Sequence, residues 1–330
     1  MITRRKLIVS LGAGVLAAPF ASFAQQPGKV WRIGYLDLSS RQLMVDAGRI
    51  PALMQGLRER GLVEGRNFLL EARYADGNAD RLNVLAADLV RQKVDLIVST
   101  GTVASHAAQR ATATIPIVVT VATDPVGDGF AASLAQPGGN ITGMSSGGED
   151  TIQKLVELLL VADPKLKRIA VITNLANSAH APQLLQVQTA ARKTSKQVLP
   201  TGVRTPIEIE RGFAAMARER TDAVIILADS FLFSQRTQIA GLALKHRLPS
   251  IYPQQQYAEA GGLMTYGTDL TDNFRRVGIF VDKILKGAKP GDIPFEQPTR
   301  YYLVINRKTA NALGVKLSGE LLARADKVIE

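Results

Sequence analysis

The sequence predicts an α/β fold in two lobes, each an open, mostly parallel sheet flanked by helices. Short β-branched runs recur along the chain and are nearly continuously apolar, as strands covered on both faces are. Between them lie stretches whose apolar residues repeat at helical spacing. The 330 residues divide into two such βαβ series of similar size, more chain than one hydrophobic core usually serves.

The elements follow in order. Residues 31–36 are the first expected strand, 67–74 the second, 94–99 the third and 117–121 the fourth. From Asn78, Leu82, Leu85, Leu89 and Val90 share one helical stripe. In the second series Ile152, Leu155, Val156, Leu159 and Leu160 mark a helix that Pro164 closes off. Strands are expected at 168–172, 198–199 and 223–227. Thr205-Pro206-Ile207-Glu208 reads as a capping box with proline at the first helical position, and Ile209, Phe213 and Met216 supply that helix's apolar face. Past Gly261, residues 262–266 look like another strand. Thr271 is then expected to cap a helix carrying Phe274, Val277, Val281, Ile284 and Leu285, stopped by Gly287. A turn-rich connector at 289–294 leads to a last strand at 301–305 and a terminal helix after Asn306. A tail of helix, strand and helix supplements both lobes in turn, so the chain should cross between them more than once.

Ahead of the first strand, residues 1–24 have the three-part layout of a secretory signal. Arg4, Arg5 and Lys6 precede an apolar stretch from Leu7 to Phe20, and Ser22-Phe23-Ala24 ends it with a cleavage-like site. The apolar part is too short to span a bilayer. Thr3-Arg4-Arg5-Lys6-Leu7-Ile8 also resembles a twin-arginine export motif, with Leu7 where that motif prefers Phe. Cleavage near Ala24 and work outside the cytoplasm are the expectation. An uncleaved amphipathic anchor fits the Gly and Ala content less well. The chain has no cysteine, so a lipid anchor at the cleavage point is not expected. Nor does it carry another apolar run long enough for stable membrane insertion.

Composition excludes further classes. With 46% hydrophobic and 21% charged residues, this is the make-up of a globular chain. A net charge of +11 invites a nucleic-acid partner, but three of those charges lie in the leader and the rest are dispersed. Lys165-Leu166-Lys167-Arg168 and Arg275-Arg276 lack interleaved aromatics, so a solvated surface and no nucleic-acid partner are expected. His106, His180 and His246 have no metal-ligand spacing. There is no nucleophile elbow, Walker loop or G-x-G-x-x-G fingerprint, so neither an enzyme nor a cofactor is expected.

Several strings, in their order and spacing, resemble the ABC-transporter substrate-binding protein family with its tryptophan- and tyrosine-type binding components. They are Ala24-Gln25-Gln26-Pro27, Arg73-Tyr74-Ala75-Asp76-Gly77 followed by Arg81-Leu82, and Thr114-Ile115-Pro116-Ile117-Val118. Asp124-Pro125-Val126 and Leu134-Ala135-Gln136-Pro137-Gly138-Gly139-Asn140-Ile141-Thr142-Gly143 continue the match. Glu259-Ala260-Gly261-Gly262-Leu263-Met264-Thr265-Tyr266-Gly267 and Leu322-Ala323-Arg324-Ala325-Asp326 complete it. The resemblance implies a type I periplasmic-binding fold: two Rossmann-like lobes, a three-crossing hinge and a ligand held in the cleft. The first lobe is then expected over 25–142 plus 268–294, and the second over 143–267 plus 295–330. The implied function is an exported, periplasmic, monomeric receptor of an ABC importer that hands a small molecule to membrane permease subunits. An exported enzyme on the same scaffold and a ligand-sensing module remain as alternatives.

Ligands of open α/β sheets bind outside the carboxyl ends of the strands. On the first lobe that rule selects Ser39 and Ser40, Thr100 to Thr102, and Asp124. On the second it selects Asn174, Asn177, Asp229, Phe231 and Tyr252, with Tyr266 at a hinge. Thr100 and Thr102 at a helix start suit a carboxylate. Asp229 or Asp124 suits an ammonium group, and Phe231, Tyr252 and Tyr266 an apolar or aromatic wall. An amino acid or related organic acid is the expected ligand. Each polar residue has an alternative role as a helix cap, and Asp124-Pro125 reads as a helix start.

Overall fold

In the computed structural model, residues 29–147 and 149–330 are described, leaving aside the side chains of Glu149 and Asp150. The leader reading at 1–24 therefore lies outside the described residues. The first sheet is built from β1 (Trp31–Asp37), β2 (Phe68–Tyr74), β3 (Leu96–Ser99), β4 (Ile117–Ala122) and β5 (Ile141–Ser145), in the order β2-β1-β3-β4-β5. Every pairing in it is parallel. Its helices are α1 (Arg41–Asp46), α2 (Arg49–Arg58), α3 (Arg81–Arg91) and α4 (Gly101–Ala111). The buried faces of β3 and β4 explain why their sequences read as unbroken apolar runs.

From α5 (Glu149–Ala162) the chain builds a second sheet with β6 (Arg168–Asn174), β7 (Gln197–Val203), β8 (Ala223–Ile226), β9 (Ser250–Tyr252) and β10 (Met264–Gly267). The helices between them are α6 (His180–Arg192), α7 (Pro206–Arg218), α8 (Ser230–Ser234), α9 (Arg236–Lys245) and α10 (Gln255–Glu259). After α11 (Leu270–Leu285) come β11 (Tyr302–Asn306), α12 (Arg307–Leu313), α13 (Gly319–Ala323) and β12 (Lys327–Ile329). This sheet runs β12-β11-β10-β9-β8-β6-β7 and is parallel except between β10 and β11.

The tail visits both lobes. Helix α11 lies on α2, where the backbones of Gly56 and Gly278 approach so closely that a Cβ on either would collide with the other helix's backbone. Its Phe274, Val277, Val281 and Ile284 join the core formed by Ile33, Tyr35 and Phe68. The chain thus passes between the sheets after Ser145, after Gly267 and again before Tyr302. Two of these passages run side by side: Ser145 N–H donates to the Glu296 carbonyl (2.8 Å), and Glu296 N–H donates to the Gly143 carbonyl (2.9 Å). Strand β5 keeps the chain on the first sheet as far as Ser145, past residue 142.

Local signals behave unevenly. At α7 the expected capping box forms: Thr205 Oγ1 accepts from Glu208 N–H (3.2 Å), and Glu208 reaches back to Arg204 N–H (2.6 Å). At α11 the cap is Asp269, whose carboxylate accepts from Thr271 N–H (2.8 Å), and Thr271 lies inside the helix. Asp124-Pro125 opens a turn, not a helix, closed by Gly127 N–H donating to Asp124 Oδ1 (2.8 Å).

Candidate functional site

The carboxyl ends of β3 and β4 face those of β6, β8 and β9 across a cleft with two joined compartments. The larger, about 250 Å³, is walled by Val121, Pro125, Val126 and Leu134 from the first-sheet side. Ile152, Leu155 and Pro182 close it from the other, with Leu270 beyond the second crossing. Polar groups around that wall include Asp124, Thr151, Gln183, Gln254 and Tyr266. Among them Thr151 Oγ1, Gln183 Oε1 and Gln254 Oε1 are buried with no hydrogen-bond partner among the described residues. The smaller compartment, about 30 Å³, is lined by Arg49, Thr100, Gly101, Thr102, Asn177, Asp229, Ser230 and Phe233. Val121, Thr123, Ala228, Gln254 and Leu270 border both.

Gly101 brings the two sides together. Its φ of +75° is a conformation that favours glycine, and a Cβ there would stand 2.9 Å from Ser230 Oγ of the second lobe. The following turn starts α4, whose N-cap Thr100 makes no side-chain cap. Thr100 Oγ1 instead donates to the Tyr35 hydroxyl (3.2 Å), and Thr102 Oγ1 donates to Asp128 Oδ2 (3.1 Å). Asp128 Oδ1 accepts from Ser178 Oγ of the second lobe (3.2 Å), which also meets His106 Nε2 at 3.2 Å. A polar strap therefore ties the lobes beside the cleft.

Asp229 stands beyond the buried strand β8, separated from its end by two residues, and has three local partners. Its carboxylate accepts from Leu232 N–H (2.9 Å), from the Asn174 amide (3.1 Å to each oxygen) and from the Asn177 amide (2.9 Å). These four contacts match the roughly four acceptor sites of a carboxylate, so an entering ammonium would take over the site that the forked Asn174 amide shares between the two oxygens. Asn174 and Asn177 act here as its supports, and Asn174 does not line the cleft.

Five of the expected contacts are not at the cleft wall. Ser40 Oγ accepts from Leu43 N–H (3.3 Å) as the cap of α1, while Ser39 N–H donates to Asp37 Oδ1 (2.7 Å). Phe231 is buried in the core. Tyr252 stacks on Tyr257 with ring centroids 4.7 Å apart, and burial pushes its phenol well above the ordinary range. Tyr252 fails as a wall because β9 is buried, and Phe231 because α8 turns it into the core. The apolar wall comes from residues without polar signals, which strand-end reasoning passes over. Tyr266 does reach the larger compartment, stacked on Tyr301 at 5.6 Å.

Arg49, the first residue of α2, is a cleft residue the strand-end rule misses, because it belongs to the second helix after β1. Only 2% exposed, it lies with its guanidinium carbon 3.9 Å from the centroid of the Phe233 ring, across the cleft. Desolvation pulls its pKa down to about 10, opposed chiefly by the charge of Asp37. Burial raises the Asp37 carboxyl, against the Tyr35 hydroxyl (2.6 Å) and Ser39 N–H that donate to it.

A family model described as ABC transporter substrate binding protein matches residues 48–329. A tyrosine-binding protein of Clostridioides difficile (strain R20291) is 28% identical over 268 residues, 81% of this chain and 77% of that one. The structure of an ABC domain in complex with L-Trp from Streptococcus pneumonia is 26% identical with a TM-score of 0.84, covering 91% of this chain and all of that one (100%). A ligand-free, open structure of a substrate-binding protein with adhesive properties from Clostridium difficile is 25% identical with a TM-score of 0.65, covering 91% and 99%.

Proposed function

This chain belongs to the family of ABC transporter substrate-binding proteins, and we propose that its cleft holds an α-amino acid with a large apolar or aromatic side chain. One observation carries the reading: an apolar chamber opens into a small compartment holding both a buried cation, Arg49, and a buried carboxylate, Asp229. A zwitterionic head with an apolar tail matches that division. The chamber is smaller than the roughly 300–1,000 Å³ of drug-sized sites, which favours a single amino acid over a peptide. Unpartnered acceptors on Gln183 and Gln254 suit a tail with one donor, as an indole or phenol has. The tyrosine-binding relative and the L-Trp complex support the same class. At nearly equal identity the fold follows the L-Trp complex more closely than the open form, which supports a closed arrangement.

The mechanism is hinge closure. Ligand bridges the lobes, water leaves the cleft, and the closed form presents a surface to the permease subunits. In this reading residues 1–24 export the chain, which works in the periplasm as a monomer and alters no bond in its cargo.

Calorimetry and thermal melting with the twenty amino acids test it. L-Trp or L-Tyr at about 100 times its Kd should stabilise the protein by about 2.7 kcal/mol. Asp229→Asn keeps an acceptor for Leu232 N–H but removes the charge, and should weaken amino-acid binding by at least about tenfold. Absence of both heat and melting shift across the series would remove the amino-acid reading.

A further inference from the structure

We propose that Arg49 is the carboxylate receptor of this cleft, working with the uncapped first turn of α4. The proposal rests on the amino-acid reading above and adds to it the residue that grips the acid. Arg49 is buried, yet its Nε and Nη2 have no hydrogen-bond partner among the described residues. Nη1 has only the Met44 sulfur, at 3.9 Å. The flat face of the guanidinium is used up against Phe233, which fixes the plane of the fork and leaves its N–H edge for a ligand. Asp37, at the end of β1, makes no hydrogen bond to it among the described residues, and its oxygens accept from the Tyr35 hydroxyl and Ser39 N–H.

The second half of the receptor is the start of α4. This helix of 11 residues has no side-chain cap, and both hydroxyls that might have covered its N-terminus are turned to Tyr35 and Asp128. Arg49, Gly101 and Thr102 line the same 30 Å³ compartment. Buried N–H groups without acceptors are rare and costly in folded proteins. A planar fork beside a helix N-terminus matches the geometry of a carboxylate and raises the compartment's preference for an anion. Asp229, lining the same compartment, then accounts for the opposite charge of the ligand.

The test compares L-tryptophan with L-tryptophanamide, which keeps the ammonium and indole but lacks the anion. Wild-type protein should bind the acid at least about 30-fold more tightly by calorimetry. R49Q should lose at least about 30-fold for the acid and no more than about threefold for the amide, with R49K between them. Equal losses for both ligands, or an unchanged affinity for the acid, overturn the proposal while leaving the amino-acid reading intact. Should R49Q not fold, nitrogen NMR of the wild-type arginine side chains decides. The Nε–H signal of Arg49 should shift with tryptophan and stay with tryptophanamide, and an equal response to both overturns the assignment. If no amino acid binds, 3-indolepropionate and its amide carry the comparison alone. Preference for the acid, lost in R49Q, supports the receptor, and binding of neither overturns it.

Discussion

At the scale of single residues, charges are buried in and behind this cleft. Asp37 shows the physical consequence. Burial raises its carboxyl above the ordinary Asp value, so ionisation is harder in the folded chain than in the unfolded one. Its favourable contribution is therefore fully present below about pH 4, the ordinary Asp range, and is lost as pH rises through the raised folded value. Asp37→Asn removes that titration. In urea unfolding between about pH 3.5 and 7, wild type should lose stability relative to the variant as pH rises, with the difference levelling off once Asp37 is ionised in both states. A difference that grows in wild type's favour with pH would contradict the burial account. The same residue scale explains which contacts were legible in the sequence. Thr100, Thr102, Asp124, Asn177, Asp229 and Tyr266 do border the two compartments, because strand ends point there. Ser40, Asn174, Phe231 and Tyr252 obey the same rule but serve as cap, support and core, and Ser39 is buried away from both compartments. Arg49 carried no local signal, since its place depends on meeting Phe233 from across the cleft.

At the scale of elements, strands with apolar runs were readable, as was β2 with Glu71 and Arg73 in it, whereas β5 and β12 were not. β5 (Ile141–Ser145) contains Gly143 at φ +146°, and its Cβ-free backbone sits hard against Val119 of β4. Thr, Gly, Met and Ser give it no β-branched run to recognise. β12 (Lys327–Ile329) is a three-residue edge strand, too short for alternation to register. The seam between α2 and α11 was invisible for a different reason: it joins residues more than two hundred positions apart through two glycines. There the absence of side chains is the packing feature. Gly56→Ala would drive a Cβ onto the Arg275 carbonyl, and backbone cannot yield as a flexible side chain does. Chemical denaturation should show a loss of roughly 1–3 kcal/mol or more. Gly61→Ala, where nothing lies nearby but φ is +80°, serves as a control that strains only the local turn. If G56A melted like wild type, the close approach of the two helices would be wrong.

At the scale of the whole molecule, the question is what sets the balance between open and closed lobes. Two contacts span the cleft beside the ligand compartments. One is Arg49 on Phe233, and the other is Ser178 with Asp128 and His106. The second is polar, lies outside both compartments, and can be cut without touching a ligand contact. Asp128 keeps Thr102 as a partner on its own lobe, so removing the Ser178 hydroxyl leaves the carboxylate half-satisfied and not orphaned. A hydrogen bond to a charged group is worth about 1.5–3 kcal/mol, and solvent regains part of that when the lobes part. Ser178→Ala should therefore shift the equilibrium toward the open form and weaken L-Trp or L-Tyr binding by about three- to tenfold. Faster dissociation should account for most of the change, because the strap holds the closed form together once ligand is inside. Small-angle scattering of the unliganded variant should give a larger radius of gyration than wild type. Ser178→Thr restores the hydroxyl and should restore both readings. Should the Ala and Thr variants behave alike, the strap is a bystander, and closure rests on the ligand and the arginine alone.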